Sequence, residues 1–243
     1  MTGGSIALAT PAQAQNNEWD ITVSPYLWLS AQDGTTSVVT ELPPVEVDAS
    51  FGDIFENLDI AAMAIVEADN GKIYLRSDFF YASLGADAEI QQDPRFSAAE
   101  LSSKVLNLSA AGGVVAHKDE KSQVNLFAGV RLWSLDNEII LSPGTEPGVS
   151  AEADNTFVNP IVGASASVDL SPSVSFGLGS SIGGFGIGDT DIELSGSATV
   201  EFEVGPGWSL AAGYRVLYID YENGAFVYDV TTHGPLVGAR INF

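Results

Sequence analysis

Between Ile192 and Val204 the chain reads IELSGSATVEFEV. Leu194, Gly196, Ala198, Val200, Phe202 and Val204 share one parity; Glu193, Ser195, Ser197, Thr199, Glu201 and Glu203 share the other. A strict period of two is the signature of a strand with two unlike faces, and it excludes an amphipathic helix. The pattern recurs in WDITVSPYLWLS (19–30) and SQVNLFAGVRLWS (122–134), and Val237, Ala239, Ile241 and Phe243 carry it to the last residue. Turn signals divide these stretches, which predicts an all-β, antiparallel up-and-down barrel. Ten strands are expected, at about 18–30, 60–69, 72–85, 103–116, 122–135, 157–169, 173–187, 192–204, 208–221 and 226–243; counts of eight or twelve stay open.

The connections are of two kinds. Asn70-Gly71, the stretch 117–122, Ser171-Pro172-Ser173 and Gly205-Pro206-Gly207 are tight. The segments 31–59, 86–102, 136–156, 188–191 and 222–226 are longer or more acidic. Short turns at one end and long loops at the other mark a transmembrane barrel of the bacterial outer membrane. Segment 35–50 reads either as an extra hairpin or as strand continued above the membrane. The longest uncharged run, Leu170 to Gly188, has 19 residues but is rich in Gly and Ser and contains Pro172, which suits a closely packed strand and not a helix.

With 32 acidic and 9 basic residues the net charge is −23, which argues against nucleic acid as a partner. The absence of cysteine removes disulfides, thiolate zinc sites and thiol nucleophiles. Nothing calls for a metal or cofactor. Residues 1–14 read as the remnant of a cleaved signal peptide, with Ala12-Gln13-Ala14 as the cleavage site, and 15–243 as one domain. A soluble acidic β-barrel binding module is the bland alternative.

Alternation alone does not tell a soluble barrel from a membrane barrel, because one is the other turned inside out. Arg76, Arg131, Arg215 and Arg240 fall on the polar parity among small neighbours, with Glu67, Asp78, Glu201 and Glu203 as partners of the same parity. That set predicts a lumen charge network, since a guanidinium pairs with several carboxylates in a narrow space. Lys72, Lys118 and Lys121 lie at the short turns and Lys104 at a strand start. Trp19 and Trp208 open strands at one end, while Trp28, Tyr81, Trp133, Tyr218, Tyr221 and Tyr228 gather toward the other, which predicts two interfacial aromatic girdles.

The ending THGPLVGARINF resembles the C-terminal signal of many bacterial outer-membrane barrels, a terminal Phe after alternating apolar residues. That resemblance implies that Val237, Ala239, Ile241 and Phe243 are read by the barrel-assembly machinery. Through Ser24-Pro25-Tyr26-Leu27-Trp28, Asp53-Ile54-Phe55-Glu56-Asn57-Leu58-Asp59 and His233-Gly234-Pro235-Leu236 the chain also resembles a broad group of uncharacterised proteobacterial outer-membrane β-barrel proteins. The likeness implies a fold and a location, and no catalytic residue.

The acidic segments 31–59 and 136–156 contain no basic residue, so contact with lipopolysaccharide phosphates requires bridging Ca²⁺ or Mg²⁺. The lumen network predicts either a packed structural interior or a narrow porin-like path. The alternative of another class is an outer-membrane enzyme acting on lipid A or surface peptides. It would rest on His233 with Asp229 and Thr231, because His117 belongs to a turn; no pattern identifies a nucleophile.

Overall fold

The alternating segments become strands that close on themselves. The computed structural model describes residues 18–37, 44–90 and 94–243; the expected signal remnant 1–14 lies outside them. The strands are β1 (Asp20–Trp28), β2 (Ala31–Thr36), β3 (Val45–Ala49), β4 (Leu58–Asp69), β5 (Ile73–Glu89), β6 (Phe96–Lys118), β7 (Ser122–Pro143), β8 (Val149–Ser171), β9 (Val174–Ile187), β10 (Thr190–Gly205), β11 (Trp208–Asn223) and β12 (Phe226–Asn242), with one helix, α1 (Phe51–Glu56). All described pairings are antiparallel between neighbours, and β1 also pairs with β12, which closes the barrel.

The wall has ten strands because β1 and β2 are one. Trp28 pairs with Leu236 and Ala31 with His233, so the register against β12 does not slip between them. The break falls opposite Pro235: Leu29 N–H still donates to its carbonyl, but proline has no N–H to return. Following paired residues around the wall from Thr22 through Glu67, Arg76, Ala111, Gly129, Ile161, Gly183, Glu193, Ile219 and Val230 arrives at Gly34, twelve residues further along the same strand. A stagger of that size over ten strands tilts them by about 40°. Eleven residues of such a strand, Trp208 to Tyr218 on β11, cover about 25 Å, the height of an apolar band.

The band is on the outside. Leu108, Val130, Val162, Leu178, Leu210 and Val237 are exposed, while Asp78, Asn107, Arg131, Asn159, Glu193 and Arg215 are buried within. This inversion makes the molecule a membrane barrel. Among the described residues no helix is long and apolar enough to cross a membrane; the strands do. The expected tight turns lie at one end, between residues 69 and 73, 118 and 122, 171 and 174, and 205 and 208. Gly71 (φ 77°) and Gly207 (φ 75°) take the left-handed conformation these turns require.

Three expectations need correction. First, much of 86–102 and 136–156 is strand, not loop: β5, β6, β7 and β8 continue well above the band because Ile139 and Ala151 still pack against the interior cluster. Second, the extra hairpin, one of the two readings of 35–50, is found as the β2–β3 pair, but 31–59 also holds α1, whose Ser50 and Asp53 form a capping box. Third, the far aromatic girdle is largely absent. Trp28, Trp133, Tyr221 and Tyr228 are buried inside the barrel. Trp28 and Trp133 already shared the parity of the lumen residues, and face decides burial more strongly than height along a strand.

Candidate functional site

The barrel interior has a polar lower half and an apolar upper half. In the upper half Trp28, Trp133, Leu135, Phe157, Ile219, Tyr221, Phe226 and Tyr228 form one buried cluster, with Phe157 stacked on Tyr221 at 3.9 Å. Met63, Phe80 and Val105 pack on it from the opposite wall. Aromatic surface of this extent excludes water from the space it fills.

Directly below lies a layer of ion pairs. Glu193 Oε1 pairs with Arg131 Nη1, and Glu193 Oε2 accepts hydrogen bonds from Trp133 Nε1 at 3.0 Å and Asn159 Nδ2 at 2.7 Å. Beside it Arg215 Nη2 meets Asp78 Oδ2 at 2.9 Å, and Arg215 Nη1 donates to Tyr26 Oη at 2.7 Å. The Tyr26 hydroxyl in turn donates to Asp78 Oδ1 at 2.9 Å. The Arg215 guanidinium stands 5.0 Å from the centre of the Trp28 ring, joining the layer to the apolar cluster above. Small residues make the room: a Cβ at Gly129 would stand 2.1 Å from Ala110 O, and one at Gly213 2.2 Å from Ala198 O.

Nearer the short turns Arg76 pairs with Glu67 at 2.6 Å, Tyr74 also donates to Glu67, and Arg240 meets Glu201 at 3.3 Å. The structure therefore brings together Glu67 with Arg76, Asp78 with Arg215 and Glu201 with Arg240. Glu203 stands exposed at the rim, in no ion pair among the described residues. Arg131 takes Glu193, which the expected network did not include. Its signal was present, since Glu193 shares the lumen parity of β10, but parity does not say which carboxylate crosses the barrel.

The C-terminal residues lie on the lipid face of β12. Val237 and Phe243 are exposed, and Phe243 N–H donates to Ile21 O at 2.9 Å, so the last residue is seated on the first strand.

His233 also faces outward. Its Nε2 lies 2.9 Å from Asp33 Oδ2 on β2 and its Nδ1 2.7 Å from the Tyr214 hydroxyl on β11. The carboxylate beside it is thus Asp33 and not Asp229, which pairs across strands with Asp220. Among the described residues no serine hydroxyl bonds either histidine. His117 bonds Asp119 in a short turn. There the Lys121 backbone N–H, then His117 and Ser122, hold the Asp119 carboxyl well below the usual range.

Above the band, five carboxylate pairs oppose one another directly across strands: Asp33–Asp48, Asp87–Glu100, Asp136–Asp154, Glu138–Glu152 and Asp220–Asp229. Partial burial and then Asp229, Asp191 and Glu222 push the Asp220 carboxyl above its ordinary value. No group of three or more His, Cys, Asp or Glu among the described residues is arranged to hold a metal.

No family model matches the chain, and no curated protein matches it. Among solved structures, the outer membrane protease OmpT from Escherichia coli aligns with a TM-score of 0.60 at 9% identity, over 97% of this chain and 100% of that one. The translocator domain of the autotransporter NalP from Neisseria meningitidis aligns at 0.49 and 14%, over 94% and 90%. The attachment invasion locus protein Ail of Yersinia pestis aligns at 0.34 and 10%, over 93% and 98%. The likeness to the first carries the fold and no activity. Together with the inverted faces, it makes this chain an outer-membrane β-barrel protein.

Proposed function

We propose that this protein is a closed, non-conducting structural barrel that presents an acidic β-extension at the cell surface. The observation that carries the reading is the filled interior. An ion-pair layer crosses the lumen and an aromatic cluster roofs it, and both favour a closed interior over a porin-like path. In planar bilayers the wild-type protein is expected to stay silent at high protein load, while Trp133→Ala with Tyr228→Ala conducts. Discrete conductance steps from the wild type would overturn the proposal.

A non-enzymatic role fits the same geometry, because His233 stands on the outer face of the wall and lines neither lumen cavity. The opposed carboxylate pairs support a partner as well. Like charges directly opposite destabilise a sheet, and Ca²⁺ or Mg²⁺ held between these pairs and lipopolysaccharide phosphates would relieve the repulsion. With no three-carboxylate nest in the described residues, such ions are shared with the lipid and not caged by the protein.

A further inference from the structure

The lower half of the interior contains a cavity of about 200 Å³, continued past Arg240 and Glu201 to the short turns. Its size is roughly that of seven waters at ~30 Å³ each. Two unlike walls face each other across it. One is made by β8, β9 and β10, whose Ser165, Ser181, Ser195, Ser197 and Thr199 line it between glycines. The other carries the Glu67–Arg76 pair beside the aromatic faces of Tyr74 and Phe127, whose rings are 6.1 Å apart. At the closed end Arg131, 4% exposed, has an Nε with no hydrogen-bond partner.

Each guanidinium around the cavity already has a carboxylate: Arg76 with Glu67, Arg131 with Glu193, Arg215 with Asp78 and Arg240 with Glu201. Asp20 and Asp69, which also line the cavity, share Lys118, so a charged solute meets no unpartnered counter-charge there. The wall does offer N–H donors, carboxylate acceptors and hydroxyls that act as both, together with aromatic surface for C–H groups. We infer that this cavity is a binding site for a small neutral polyhydroxylated solute, one sugar ring in size, entering from the periplasmic side. That the site is a dead end rests on the closed-barrel reading; binding does not. Binding in micelles and conductance in bilayers therefore fail independently.

The test is calorimetric titration of the full-length barrel in detergent micelles with D-glucose, and with gluconate and L-lysine as charged comparators of similar size. Saturable glucose binding is expected, with gluconate and lysine weaker by about tenfold or more, a gap of about 1.4 kcal/mol. Ser197→Phe, which lays a ring across the cavity, is expected to weaken glucose binding by about tenfold or more while keeping the heat-modifiable gel mobility of the folded barrel. Thr199→Val removes one hydroxyl at nearly constant shape and is expected to weaken binding several-fold, so the proposal stays testable if Ser197→Phe does not fold. An absence of saturable glucose heat, equal binding of the charged comparators, or unchanged binding in Thr199→Val would each overturn it.

Discussion

Glu193 on β10 and Arg131 on β7 form an ion pair across the barrel interior, three strands apart along the wall, with Glu193 1% and Arg131 4% exposed. Trp133 and Asn159 bind the other oxygen of the same carboxylate. The pair therefore fixes β7, β8 and β10 to one point under the aromatic cluster. Glu193→Ala leaves Arg131 buried without its counter-charge and is expected to cost about 3–5 kcal/mol. Glu193→Leu combined with Arg131→Met should recover most of that loss, because the uncompensated charge is gone. Guanidinium unfolding in lipid vesicles measures both; a single variant within about 1 kcal/mol of wild type would remove the layer from the account of stability.

The carboxylate pairs predict a dependence on divalent cations. In micelles containing lipopolysaccharide, millimolar Ca²⁺ is expected to raise the melting temperature, and the increase should shrink in a variant carrying Asp136→Asn, Glu138→Gln, Glu152→Gln and Asp154→Asn. Those four residues make up two of the opposed pairs, side by side on β7 and β8. Calcium that leaves the melting temperature unchanged would dispose of the bridging.

Asp220 gives this surface a pH signature. Its carboxyl lies above the ordinary 3.8, through partial burial and the nearby Asp229, Asp191 and Glu222. Its folded value thus exceeds its unfolded one. The stabilisation from protonating it is complete below about 4 and is lost as pH rises through the folded value. Asp220→Asn is accordingly expected to stabilise the protein at pH 7 by about 0.5 kcal/mol, the scale of an opposed like-charge pair. The gain should vanish below about pH 4, and a gain that persists at low pH would assign the effect to packing.

His233 joins three strands through Asp33 and Tyr214 on the outer face of the wall, with its side chain 35% exposed. His233→Ala is expected to cost no more than about 1 kcal/mol, as exposed pairs do, and to leave lipid A and surface peptides unaltered by mass spectrometry. A changed lipid A profile would restore the enzyme reading.

The fold was legible because period two is plain in β1, β7, β10 and β12, and the lumen set because Arg76, Arg131, Arg215 and Arg240 kept one parity. Four features stayed hidden. The parity of Trp28 and Trp133 was visible, but an interfacial girdle and an interior cluster predict similar positions along a strand, and only their faces differ. The partner of Arg131 depends on which strands face each other across a closed wall, a property of stagger and curvature that no local pattern encodes. The helix α1 had a readable signal in Ser50-Phe51-Gly52-Asp53, a capping-box spacing within a stretch that otherwise looked like loop. The acidic strand extensions were concealed by their own charge, since carboxylates on both sides of a turn read as a solvated loop until Ile139 and Ala151 are seen to face inward.

Phe243 separates packing from address. The residue is 75% exposed, and its N–H bond to Ile21 is made by the backbone. Removing the ring therefore takes little from the folded barrel in an apolar solvent: Phe243→Ala is expected to refold into detergent or lipid vesicles with nearly wild-type yield and unfolding midpoint. If the ring is part of an assembly signal, the same substitution should lower the amount of heat-modifiable protein in the outer membrane of cells several-fold, although Val237, Ala239 and Ile241 remain. Equal losses in vesicles and in cells would make the ring a packing residue. Unchanged assembly in cells would remove the signal reading altogether.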